Sequence, residues 1–287
     1  MRYGHSLGSP TAGRLVGGMR IEETSYLRVL PAYVGGDVRW GVEPLVAMLD
    51  RAARSVRHQF PDAITSVGHL SREGGGEIDR HRSHESGRDA DIGFFVRTAS
   101  GRQLLETSFV AFRGDGTAPT WPGALFDDAK NWAFVSAMLE DPEARVTHIF
   151  VASPMRARLL AYAERIGWPE ALRLRAAELM HQPRGSLPHD DHFHVRIACP
   201  EHMQGCVENP GVRNVGMGRG VAGQARRSTR STSSQTPLAG TAPRRSVSDA
   251  GAGDSIPPAP PGSGQPASEL PPPLPLDVSA GVDDVDG

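Results

Sequence analysis

Lysine is almost missing from this chain: Lys130 stands alone, so nearly all of the 31 basic residues are arginine. Against 33 acidic residues they leave a formal net charge of −2. That balance excludes a global pull toward nucleic acid or an acidic membrane surface, because neither sign dominates the field. No apolar stretch reaches the roughly 18 residues that a membrane-crossing helix needs, so no transmembrane segment is expected. The opening MRYGHSLGSPTAGRLVGG has no apolar run of the kind a secretory leader carries, so no signal peptide is read there. Cysteine is limited to Cys199 and Cys206. The close pair suits a small disulfide loop in an oxidising compartment, or equally two unrelated thiols. A cysteine-built zinc site is disfavoured, because no further CxxC-type partner exists.

Aromatic residues are also few, 6% of the chain, and none follows Phe193. The Pro/Ser/Ala-rich segment 216–287, with runs such as PPAPPGSGQP and PPPLPLD, cannot bury enough apolar surface to offset the entropy of ordering it. It is read as a disordered tail, and the folded domain as residues 15–215. Within that domain Val42, Leu45, Val46, Leu49 and Val56 recur at helical spacing and predict a helix over 42–58. Helices are also expected from Phe126 to Leu139, from Pro154 to about Ile166 and from Pro169 to about Met180. Strands are expected at Ile64–Gly68, Ala90–Val96, Val146–Ala152 and His192–Ala198. Helices and strands mix without a regular βαβ repeat. The fold class is therefore α+β, a small antiparallel sheet with flanking helices.

Histidine is locally abundant. Of eleven histidines, five fall in two short windows: His81 and His84, then His189, His192 and His194 in HDDHFH. Residues i and i+2 of a strand point to one face, so His192 and His194 project side by side. His84 is followed seven positions later by Asp91, across a glycine that lets the chain turn. Two imidazoles and a carboxylate suit zinc, and three protein ligands leave a position for water. Asp89 competes with Asp91, since Asp89 and Asp91 alternate on one strand; Asp89 is read as the partner that orients a histidine. Trp121, Trp132 and Trp168 are read as core, and His148 as structural.

SHESGRDADIGFF followed by HDDHFHVRIACP, with THIFVASPMRARLL between them, resembles the penicillin-insensitive murein endopeptidases over roughly residues 20–207. These are zinc peptidases related to the D-Ala-D-Ala dipeptidases and lysostaphin-type enzymes. The resemblance implies that His84, Asp91 and His194 bind the catalytic zinc, with His192 and His189 serving the chemistry beside it. It places His81 near a second metal, which family members can hold with a later Asp-x-x-His. Here the matching stretch is Asp115-Gly-Thr-Ala118, with alanine in the histidine's place, so one zinc ion is expected. The resemblance further implies a Cys199–Cys206 disulfide, peptidoglycan as partner and a periplasmic or cell-wall location. The implied reaction is hydrolysis of the D-alanyl–meso-diaminopimelyl cross-link. A zinc D,D-carboxypeptidase or dipeptidase, and a silent wall-binding module, are the alternatives. One of Arg82, Arg88 and Arg196 is a candidate partner for a substrate carboxylate, or each is a structural ion pair.

Overall fold

A computed structural model describes residues 4–79 and 81–208. The segment read as a disordered tail, 216–287, lies outside the described residues.

The chain opens with a hairpin, β1 (His5–Ser9) and β2 (Ala12–Val16), which starts ahead of the boundary expected at residue 15. Short strands β3 (Met19–Arg20), β4 (Leu27–Val29) and β5 (Trp40–Gly41) lead into helix α1 (Glu43–Gln59). Strands β6 (Thr65–Val67) and β7 (Asp89–Gly93) follow, separated by the glycine-rich loop. A three-stranded excursion comes next, made of β8 (Val96–Arg97), β9 (Gln103–Leu104) and β10 (Leu125–Phe126). The remainder is α2 (Asp128–Leu139), β11 (Val146–Phe150), α3 (Ser153–Arg165), α4 (Glu170–Leu179), β12 (Met180–His181) and β13 (His192–Ile197). The α+β class expected from the sequence is what forms.

The main sheet has six strands in the order β12-β11-β13-β7-β6-β4. Its four central strands pair antiparallel, as expected, whereas the short edge strands β12 and β4 pair parallel to their neighbours. In α1 the apolar set Leu45, Val46, Met48, Leu49, Ala52, Ala53 and Val56 is buried as one stripe, and Glu43 and Pro44 begin the helix where a carboxylate and a proline are favoured. Helix α2 is capped by Asp127, whose side chain accepts from the Lys130 amide. It is buried on most sides, so the chain's single lysine ends up inside, with its Nζ 2.9 Å from Asp62. Ala90, Ile92, Phe193, Val195 and Ile149 join the helices in one apolar core, which also takes in Trp132. That assignment turns the alternate residues of β7, β13 and β11 to the other side of the sheet.

Candidate metal centre

The register of the sheet assembles the site. His194 on β13 stands opposite Asp91 on β7 and Phe150 on β11, and Arg196 stands opposite Asp89 and His148. Cross-strand partners share a face, so Asp89, Asp91, His192, His194, Arg196, His148 and Phe150 all project from the side away from the core. His84 arrives from the loop before β7. It is fully buried with φ of 77°, a left-handed conformation that costs a non-glycine residue about 1–3 kcal/mol and persists where its surroundings hold it. Its Nδ1 donates to the Leu70 carbonyl at 2.7 Å, and its own carbonyl accepts from the Ser71 hydroxyl. The N-terminal hairpin holds the same loop from outside: Gly13 N–H donates to the Glu85 carboxylate at 3.1 Å, and Glu85 N–H to the Pro10 carbonyl.

His84, Asp91 and His194 each offer one ligand atom, and these atoms lie within 4.8 Å of one another. His84 Nε2 is 3.2 Å and His194 Nδ1 3.4 Å from Asp91 Oδ1. The outer hydrogen bonds decide which nitrogen is free. With Nδ1–H of His84 on Leu70, its Nε2 keeps a lone pair. With Nε2–H of His194 on Asp89 at 2.8 Å, its Nδ1 keeps one. Asp89 is in turn held by Arg196 at 2.6 Å, so it orients a histidine, as read from the sequence. His84 Nε2 and both Asp91 oxygens are buried without a hydrogen-bond partner. Buried polar atoms are rarely left so, and two nitrogens and a carboxylate converging on one point fit a divalent ion with mixed nitrogen and oxygen preference. Burial alone would raise the Asp91 carboxyl, but the His84 and His192 imidazoles, whose own values are raised beside it, hold it well below the usual range in the metal-free site. Burial pushes His194 down to about 4, against the pull of Asp89, which leaves it neutral and able to ligate.

The other expected residues surround this group. His192 Nε2 lies 3.5 Å from Asp91 Oδ1, while its Nδ1 donates to Asp191 at 2.5 Å. Burial lowers the His192 imidazole, yet the charges of Asp91 and Asp191 outweigh it and raise the net value. The His189 ring is 5.3 Å from that of His192 and 5.8 Å from that of His194, and its buried Nδ1 has no partner. His81 Nδ1 is 3.7 Å from the second Asp91 oxygen. Its other nitrogen meets His69 Nδ1 at 2.9 Å, so His69, His81 and Asp91 form a second group able to hold an ion. His69 is absent from the sequence reading; a lone histidine after Gly68 gives no pattern, and only the proximity of strand β6 to β7 brings it in. Asp115 does not join this group: it is exposed and bonded to Thr117. Arg88 and Arg196 are buried on Glu208 and Asp89, which makes both structural and leaves Arg82 as the exposed member of the three.

The fold and site together define an α+β protein with a buried two-histidine, one-carboxylate centre on the open face of its sheet, flanked by further imidazoles. The sequence profile described as penicillin-insensitive murein endopeptidase matches residues 6–249, and the chain belongs to that peptidase family. The penicillin-insensitive murein endopeptidase of Haemophilus influenzae is 29% identical over 147 residues. That alignment covers 49% of this chain and 45% of the relative, so the chain spans under half of that protein's length. A Cys199–Cys206 disulfide is present, as the resemblance implied. No helix among the described residues is long and apolar enough to cross a membrane.

Proposed function

We propose that the chain is a zinc-dependent peptidoglycan endopeptidase that hydrolyses the D-alanyl–meso-diaminopimelyl amide cross-link, acting in the periplasm or cell wall. The observation that supports the reading is the convergence of ligand atoms from His84, Asp91 and His194, with His84 Nε2 and both Asp91 oxygens buried without a partner and both imidazole tautomers set by outer hydrogen bonds. His84, Asp91 and His194 would hold a zinc ion there, which would supply a water of lowered pKa and polarisation of the scissile carbonyl. His192, tethered by Asp191 with its Nε2 facing the centre, takes the proton from the attacking water. His189, beside it, shares in returning a proton to the leaving amine. The reading assigns one ion; His81 and His69 face the other oxygen of Asp91, where a second would bind.

Digestion of purified cross-linked muropeptide dimers tests this. Conversion to monomers with gain of one water, abolished by a chelator and restored by zinc, is the expected result. Release of a terminal D-alanine instead would move the protein to the carboxypeptidase reading. Bound zinc with neither product would leave a wall-binding module as the better account.

A further inference from the structure

We infer that Phe109 is a positioning residue, which holds the His192 imidazole in its working orientation, and that Gly68 is glycine because a side chain there would evict it. The inference rests on the reading of His192 as the proton-handling group.

The polar edge of His192 is held by the hydrogen bond from Nδ1 to Asp191, while its Nε2 lies 3.5 Å from Asp91 Oδ1, beyond close hydrogen-bond contact. A ring tethered at one atom can still tilt about that bond, and tilting would swing Nε2 away from Asp91. The flat contact that opposes this comes from Phe109, whose ring is stacked on His192 with centroids 4.5 Å apart and planes 19° from parallel. Phe109 is half-buried and lies outside the hydrophobic core, so core packing does not account for its place. Its loop is nonetheless anchored. Ala32 N–H donates to the Thr107 carbonyl and Phe112 N–H to the Asp190 carbonyl, at 3.0 and 2.8 Å. The Tyr33 ring packs on Phe109 at 4.6 Å.

Gly68 supplies the independent observation. Its φ is not in the left-handed region, so its backbone would accept any residue. A Cβ there would nevertheless lie 2.3 Å from Phe109 Cζ and 3.0 Å from Cε2. Gly68 cannot retreat, because its amide donates to the Asp91 carbonyl at 2.8 Å. The ring would have to move, and it would leave His192. The three atoms nearest to that Cβ all belong to the Phe109 ring, and none to His84, Asp91 or His194.

The test uses the full chain loaded with zinc and three variants: Phe109→Leu, Gly68→Ala and the pair combined. Each single change is expected to lower kcat on muropeptide dimers about 2- to 10-fold, the range an aromatic contact of this kind supports, with KM and zinc content unchanged. The double variant is expected to be no slower than the slower single one, because the second change finds the ring already displaced. A second readout needs neither metal nor substrate: the carbon-bound imidazole protons of His192 should resonate upfield in the wild type, under the Phe109 ring current, and lose that shift in both single variants. Two results would overturn the inference with the proposed reaction intact: an unchanged His192 signal in Phe109→Leu, or losses in the single variants that multiply in the double. Full turnover by His192→Ala would remove the proton-handling role itself, whatever the ring-current shifts show.

Discussion

Replacing Asp89 by leucine, close in shape but without an acceptor, is expected to damage two properties that a second substitution then separates. Asp89 is wholly buried, and its Oδ1 receives both His194 Nε2–H at 2.8 Å and Arg196 Nε–H at 2.6 Å. Asp89→Leu leaves the Arg196 guanidinium, 5% exposed, without its counter-charge. Removing one partner of a buried pair costs about 3–5 kcal/mol of stability. The same change frees His194 from the group that keeps its proton on Nε2, and such outer partners carry about 10- to 100-fold in metal affinity. Adding Arg196→Met removes the stranded charge. Stability should then return to within about 1–2 kcal/mol of the wild type, since replacing both members of a buried pair by apolar residues is close to neutral. Zinc affinity should stay low, because nothing restores the acceptor for His194. Urea unfolding of chelator-treated protein measures the first quantity, and competition against a zinc-binding dye the second. Recovery of zinc affinity together with stability in the double variant would refute the assignment of Asp89 to His194, as would wild-type zinc affinity in Asp89→Leu.

Further outcomes follow from other parts of the molecule. His194→Ala is expected to lose zinc and turnover together, whereas His192→Ala keeps most of its zinc and loses turnover; equal zinc loss in both, measured by metal analysis after dialysis, would sink that division of roles. Cys206→Ser opens a loop of sequence separation 7 and is expected to destabilise the fold by about 2–3 kcal/mol in urea, the loop-closure value for so short a ring. Asp141 accepts from Arg51 at 2.7 and 3.0 Å and from the Glu143 and Ala144 amides. Burial alone would raise its carboxyl, but these donors outweigh it and hold the folded value below the unfolded one. Its stabilisation is therefore present above the unfolded pKa, near 4, and fades as pH falls through the lower folded value. The stability gap between wild type and Asp141→Asn should shrink between about pH 5 and the acid limit, and a pH-independent gap would contradict the assignment.

The helices and the central strands were legible because their signal is local. The apolar stripe of α1, the proline starts of α3 and α4, and the alternation in β13 each need only neighbouring residues. The candidate ligands were legible for a similar reason: His192 and His194 share a strand face, and Asp91 follows His84 across a turn. The hairpin β1–β2 was not, since its glycine-rich strands show no clear alternation and are held by partners far along the chain. The parallel edges β4 and β12 are two or three residues long, too short for any period to appear. The arginines were left open between substrate partner and structural ion pair. Arg88 and Arg196 stand close to ligands in sequence, yet a guanidinium there can pair with a protein carboxylate as readily as with a substrate, and here both are buried on protein carboxylates, Glu208 and Asp89.

The pairing of Gly8 with Gly205 and Val207 sets a clock on assembly. Gly8 N–H donates to the Gly205 carbonyl at 2.8 Å and Val207 N–H to the Gly8 carbonyl at 2.9 Å, so β1 waits for residues close to 200 positions later. At about 5–20 residues per second of synthesis, that wait is roughly 10–40 s. Through this time Gly8 lacks its Gly205 and Val207 partners, and Arg88 lacks the Val207 carbonyl and Glu208 that receive it. A chain halted at residue 198 would hold His84, Asp91 and His194 and still lack the Gly205 and Val207 partners of Gly8 and the Glu208 carboxylate that receives Arg88. The residues that close the domain onto β1 and Arg88 thus follow every proposed ligand in the chain.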